Sequence, residues 1–306
     1  MNMIYILKKM LCWQRIKKCR ILWQHKRVAA YCDSLIKVYY ESSKKYPIKP
    51  IKDIGTKKII WQYWGQGYGA QDIPEVVRIC LDSVEKHCAC DSYEIIRLSD
   101  EDIKDYVLFP DFVWRNKDLY PPAIFSDLLR VTLLNTYGGC WLDATILLTG
   151  EISPTYWEYP YFVYQRDEGE SNKKYWSNSF YYYFSWDDAF QVKMLNSVFF
   201  AKQGTPFIDD FYNILMTFWE RGASLPDYFF FQILFNRLLH QEGWRWDACP
   251  IESDCIPHYL QQLINDDSFC LASIDEILLL TSIHKLSYKT SGAAYKLKEI
   301  LRKTDV

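Results

Sequence analysis

Between Pro121 and Thr145 the chain carries an apolar run with helical spacing, two consecutive glycines, and a short apolar stretch ending in a carboxylate. Few folds accommodate that order. Gly138 and Gly139 supply the left-handed backbone that closes a helix and opens a tight turn, so the spacing predicts a helix, a stop and then a strand. Asp127 and Arg130, three residues apart, share one helical face. On the strand, a period of two puts Asp143 and Thr145 on one side and Leu142 and Ala144 on the other. A carboxylate at a strand end, near an acid and a base on the preceding helix, suits a ribose, a diphosphate and a metal ion.

The flanking sequence repeats this alternation. Lys57 to Trp64 reads as a buried strand ended by Gly65, Gly67 and Gly69. Pro74 to Leu81 opens a helix with proline in its first turn, and Tyr93 to Leu98 reads as a second strand. Ser99-Asp100-Glu101-Asp102 offers a capping-box start for another helix. Strand, helix, strand, helix predicts an α/β fold with a mostly parallel sheet flanked by helices. Further helices are expected from Pro206 to about Trp219 and from Asp227 to about His240, and a last apolar run from Ile277 to Ile283 ends in His284-Lys285. Residues 1–46 read as a basic, amphipathic helical extension, the prolines Pro47 and Pro50 open a linker over 47–57, and 58–306 remain for one catalytic domain.

Charge is unevenly spread. Residues 1–30 hold eight Lys or Arg and no acid, leaving 28 bases against 38 acids in the rest. A basic arm on an acidic body argues against a nucleic-acid binder, whose basic surface belongs to the folded domain. No stretch reaches the ~20 apolar residues that cross a bilayer, and the run Met3 to Leu7 stops at Lys8 without the pattern of a secretory signal. Leu11, Trp13, Ile16, Ile21, Leu22 and Trp23 are interleaved with the bases, as in a helix lying on anionic headgroups. The expected location is the cytoplasmic face of a membrane. Ten cysteines show no CxxC and no zinc spacing, so free thiols are expected.

Ser126-Asp127-x-x-Arg130 followed by Gly138-Gly139-x-x-Leu142-Asp143 resembles the sugar-binding region of DXD-motif glycosyltransferases related to glycosyltransferase family 32. Within that group the chain is most similar to capsular polysaccharide synthesis proteins. Ile60-Trp61-Gln62-Tyr63-Trp64-Gly65, Pro74-Glu75-Val76-Val77, Asp227-Tyr228-Phe229 and Ile283-His284-Lys285-Leu286 extend the likeness over roughly residues 57–290, in the family's order. The resemblance implies a glycosyltransferase-A fold and transfer, with retention, from a nucleotide-diphosphate sugar (a UDP-sugar foremost). The implied acceptor is a lipid-linked or growing oligosaccharide of a bacterial surface polysaccharide. It implies donor contacts from Trp61, Gln62 and Tyr63 on the first strand, from Asp127 and Arg130, and from Lys285 on the diphosphate. Asn178 is a further candidate for the donor pocket and Asp227 for the acceptor side. Asp143 would be the first acid of the DXD and His284 a ligand of Mn2+ or Mg2+.

One position departs from that pattern. Thr145 stands where a second acid is the direct metal ligand, and a hydroxyl is a much weaker ligand for such an ion than a carboxylate. The capsular group tolerates the Asp-Ala-Thr form. A sugar-binding scaffold without turnover rests on Thr145 alone. A glycoside hydrolase with paired carboxylates explains neither the Ser-Asp-x-x-Arg helix nor the Gly-Gly-x-x-Leu-Asp strand.

Overall fold

The computed structural model describes residues 3–69, 73–90, 92–241, 249–266 and 268–303, with side chains from Arg15 onward. Helix α1 (Met3–Ser42) leads into strand β1 (Lys58–Tyr63), helix α2 (Glu75–Cys88) and strand β2 (Tyr93–Leu98). Helices α3 (Asp111–Lys117) and α4 (Pro122–Tyr137) precede β3 (Gly139–Leu142) and β4 (Ile146–Leu148). The second half carries β5 (Tyr161–Phe162), α5 (Lys173–Ser179), β6 (Val198–Ala201), α6 (Pro206–Arg221) and α7 (Phe230–Leu239). It closes with α8 (Tyr259–Asn265), α9 (Ile274–Leu280), β7 (Ile283–Lys285) and α10 (Ala293–Lys303).

Among the described residues the main sheet has the order β2-β1-β3-β6-β5. β1 pairs in parallel with β2 and β3, while β6 runs antiparallel to both β3 and β5, so four strands share one direction and only β6 is reversed. The expected α/β class with a mostly parallel sheet and an N-terminal helix is present. β1 is central and buried continuously from Ile59 to Gln62, which is why its sequence shows no polar alternation. Helix α4 packs on β1, β3 and β6 and is crossed by α6.

The double glycine does what its composition requires. α4 ends at Tyr137, and Gly138 and Gly139 adopt φ of 73° and 108°. A Cβ on Gly139 would stand 2.7 Å from the Ile59 carbonyl oxygen, and one on Gly138 would stand 2.8 Å from the Gln203 nitrogen. The chain therefore turns against its neighbours at van der Waals limits, and β3 starts at once.

Two local expectations need correction. The strand stops at Leu142, and Asp143-Ala144-Thr145 form a turn closed by the Ile146 amide donating to the Asp143 carbonyl at 2.9 Å. After Ser99 there is only a single 3-10 turn, Ile103–Asp105. The Ser99 hydroxyl donates to Asp102 at 2.5 Å and closes the turn locally, and Pro110 holds Phe109 out of helical geometry.

α1 is one continuous helix. Its second half buries His25, Val28, Ala29, Cys32, Leu35, Ile36 and Tyr39, a stripe spaced by three and four that packs on α6 and α7. Polar contacts fix its register. Arg237 grips Asp33 with two hydrogen bonds of 2.8 and 3.0 Å, and the Tyr39 hydroxyl donates to Asp210 at 2.5 Å. Of the residues assigned to a membrane face, Ile21 and Leu22 pack against the core, while Ile16 and Trp23 are exposed. The side chains of Lys8, Lys9, Leu11 and Trp13 lie outside the described residues. The described cysteines are free thiols.

Candidate active site

Asp143 sits just beyond the end of β3. The turn after it feeds β4, which pairs antiparallel with β7 in the register Ile146↔Lys285 and Leu147↔His284. That two-stranded pairing brings Lys285, 142 residues away in sequence, to Asp143. The Lys285 amine donates to the Thr145 hydroxyl at 2.5 Å and lies 3.4 Å from Asp143 Oδ2. The turn thus brings Asp143 and Thr145 to a shared lysine, by a different route from strand alternation.

On the other side, Arg130 Nη2 donates to Asp143 Oδ1 at 3.0 Å and Nη1 to Asp127 Oδ1 at 2.5 Å. The Trp141 indole donates to Asp143 Oδ1 at 2.8 Å, and the Asn196 amide to Asp127 Oδ1 at 3.0 Å. The guanidinium is sandwiched between Trp141 and Phe231, 5.1 and 5.4 Å from their centroids. Two acids and two bases therefore form one neutral, linked cluster.

Exposure divides its members. The Arg130 and Asp127 side chains are 3% and 8% accessible, whereas those of Asp143 and Lys285 are 25% and 22% accessible. The electrostatics follow. Burial, reinforced by the nearby Asp143 charge, pushes the Asp127 carboxyl up to about 6, against the opposing pull of Arg130. Burial also acts to raise Asp143, but Arg130, Lys285 and hydrogen bonds to Trp141 and Ser197 outweigh it and hold that carboxyl below its ordinary range. Asp143 stays ionised and faces solvent beside an ammonium group. Such an arrangement can accept hydrogen bonds from sugar hydroxyls on one side and neutralise a phosphate on the other.

The other candidates are dispersed. Trp61 is fully buried, and its indole donates to the Gly138 carbonyl at 2.9 Å. Gln62 accepts from Arg97 at 3.1 Å, while its Nε2 is buried without a partner, as is the Tyr68 hydroxyl in the loop after β1. The Tyr63 hydroxyl donates to Asp100 at 2.5 Å, and its ring tilts toward Trp141 at 6.4 Å. Asn178 accepts from Lys18 of α1 at 3.0 Å. Asp227 caps the turn before α7 by accepting from the Phe229 amide at 2.8 Å.

His284 alternates with Lys285 along β7 and so points to the opposite side. It is fully buried, its Nε2 is 3.0 Å from the Thr149 hydroxyl, and burial lowers its pKa to about 3. Among the described residues no three His, Cys, Asp or Glu side chains gather to hold a metal ion. Asn196 and His258 escaped the sequence reading, and Tyr228 entered it only as part of a motif, without a role. Asn196 lies ahead of β6 in no recognisable motif. Tyr228, a half-exposed ring, feels the charges of Asp127, Asp143 and Arg130. His258 is kept neutral by burial and by the charge of Lys285.

A search of curated proteins finds no significant match. Among solved structures, the chain is similar to the PaToxG glycosyltransferase at 14% identity and a TM-score of 0.38, over 74% of this chain and 80% of that one. The profile of capsular polysaccharide synthesis proteins matches residues 13–304, nearly the whole length. With Asp127, Arg130, Asp143 and Lys285 all inside the matched span, this chain belongs to the capsular polysaccharide synthesis protein family.

Proposed function

We propose that the protein is a glycosyltransferase that moves a sugar from a nucleotide-diphosphate donor, a UDP-sugar foremost, onto a lipid-linked or growing oligosaccharide with retention at the anomeric carbon. The observation that carries this reading is the solvent-facing Asp143–Lys285 pair at the end of β3, backed by buried Arg130 and Asp127. Asp143 accepts from donor hydroxyls, and Lys285 stabilises the negative charge that grows on the departing diphosphate. Arg130 and Asp127 position Asp143 from behind.

The donor set does not fit a divalent cation. The Thr145 hydroxyl already accepts from Lys285, His284 is turned into the core toward Thr149, and both oxygens of Asp143 face bases. Charge neutralisation is therefore assigned to Lys285 rather than to Mn2+ or Mg2+.

A thermal-shift panel of UDP, GDP, CMP and dTDP, each with Mn2+ or with EDTA, tests the proposal. A ligand at 100 times its dissociation constant stabilises by about 2.7 kcal/mol. One nucleotide should raise the melting temperature equally in both conditions, and the shift should vanish in Asp143→Asn. No shift with any nucleotide rejects a donor site, and a shift that requires Mn2+ rejects the lysine assignment.

Residues 15–27 add Arg15, Lys17, Lys18, Arg20, Lys26 and Arg27 to one end of α1, and no described helix is long and apolar enough to cross a membrane. We propose that this end rests on an anionic inner leaflet, near a lipid-linked acceptor.

A further inference from the structure

At the opposite end of the strands from Asp143 lies a cavity of about 220 Å3, lined by Lys57, Lys58 and Lys202 and by the rings of Tyr137, Trp157 and Tyr159. Gly138 and Gly139 border it at the start of β3. No Asp or Glu lines it, although the body of the chain is acidic. We propose that it is a second carbohydrate site, which holds one acidic residue of a glycan chain.

Among the described residues none of the three amines pairs with a carboxylate. The Lys202 amine donates to the Glu158 carbonyl at 2.5 Å, and Lys58 lies over Trp157 and Tyr93, 5.4 and 5.7 Å from their centroids. The Trp157 indole N–H is buried without a partner. Three ammonium groups suit a carboxylate or phosphate, and flat rings suit the C–H face of a sugar. A neutral sugar leaves the amines without counter-charge. One sugar unit fits.

The position gives the site its use, and this part rests on the glycosyltransferase reading. Gly139 and Asp143 lie at opposite ends of the buried strand β3, about 13 Å apart at ~3.3 Å per strand residue. A glycan therefore reaches both ends only over the surface of the domain, which takes an oligosaccharide. A polysaccharide anchored at the lysine cavity stays with the enzyme between transfers and raises the local acceptor concentration without a new contact at the transfer site.

The test is titration of the full-length protein with tetragalacturonate and, separately, maltotetraose, in low salt. Tetragalacturonate should bind about tenfold tighter than maltotetraose, and Lys57→Glu/Lys202→Glu should remove that difference, since each exposed charge contributes up to about fivefold. Trp157→Phe should lose a smaller factor while keeping the ring. Saturating UDP and Asp143→Asn should leave tetragalacturonate binding unchanged. Equal affinity for the two sugars, no binding, competition by UDP, or indifference to the lysine substitutions would each overturn the proposal. Donor hydrolysis by Lys57→Glu/Lys202→Glu should equal wild type. Absence of hydrolysis in the wild type sinks the transferase reading while leaving the binding result standing.

Discussion

Asp127→Asn isolates one ionisation in a nearly isosteric change, and its effect on stability can be worked from the cluster. The folded protein holds the Asp127 proton to about pH 6, against an ordinary 3.8, because the group is buried and shares Arg130 with a second carboxylate. A carboxyl raised in this way binds its proton more tightly in the folded than in the unfolded chain. Stability is therefore lost as pH rises through the window between those two values. At about 1.4 kcal/mol per pH unit the loss is ~3 kcal/mol by pH 7. An asparagine cannot ionise and shows none of it, while its amide oxygen can still accept from Arg130 and Asn196. Every other titrating group contributes to both proteins and cancels in the difference. Urea denaturation of both at pH 4 and pH 7 should show the variant gaining about 2.4 kcal/mol relative to wild type between the two conditions, since at pH 4 the unfolded carboxyl is already more than half ionised. At a slope of about 3 kcal/mol per molar, that is ~1 M in midpoint. Midpoints that move in parallel would refute the account of Asp127 as a strained, buried acid.

Asp143→Asn should cut donor hydrolysis by about 100-fold or more, with the near-ultraviolet circular dichroism unchanged; turnover close to wild type would remove Asp143 from the site. Lys285→Met should lower kcat more than it raises KM, because the charge it meets develops during transfer; a pure KM effect in donor-hydrolysis kinetics would reassign it to ground-state binding. Gly139→Ala should destabilise by about 1–3 kcal/mol in a urea melt, since the backbone there is at φ 108°; an unchanged midpoint would mean that the turn relaxes freely. Arg15→Glu/Arg20→Glu should lose about 2 kcal/mol or more of affinity for phosphatidylserine vesicles, at ~1 kcal/mol per base; unaltered sedimentation with vesicles would count against a membrane-facing helix.

The sequence was most legible where local rules and tertiary packing agree. β2 falls where β-branched residues place it, and the double glycine stops α4 because no other residue tolerates that backbone. Asp127, Arg130 and Asp143 were readable as a group because one helix, one turn and one strand end carry them. Lys285 entered through the family resemblance alone, since no spacing rule links a residue 142 positions away. The same limit applies to His284. Its adjacency to Lys285 suggested a shared role, but strand alternation sends neighbours to opposite faces, and the imidazole went to the core. Trp61 is an implied donor contact by resemblance, yet an internal strand buried on both sides turns its indole inward to the Gly138 carbonyl. Asn196 had no signal at all, because its partner Asp127 is set by the crossing of two remote elements.

The β4–β7 pair also bears on how the site assembles. β7 pairs with β4 outside the five-stranded sheet, and α10, which follows it, packs back on α2. The main sheet can form before that pairing, but the second base of the cluster arrives only with β7. Until then Arg130 alone is shared by two carboxylates, and the cluster carries a net negative charge, which repels a phosphate. Under the proposed function, competence for the donor then coincides with the pairing of β7 on β4.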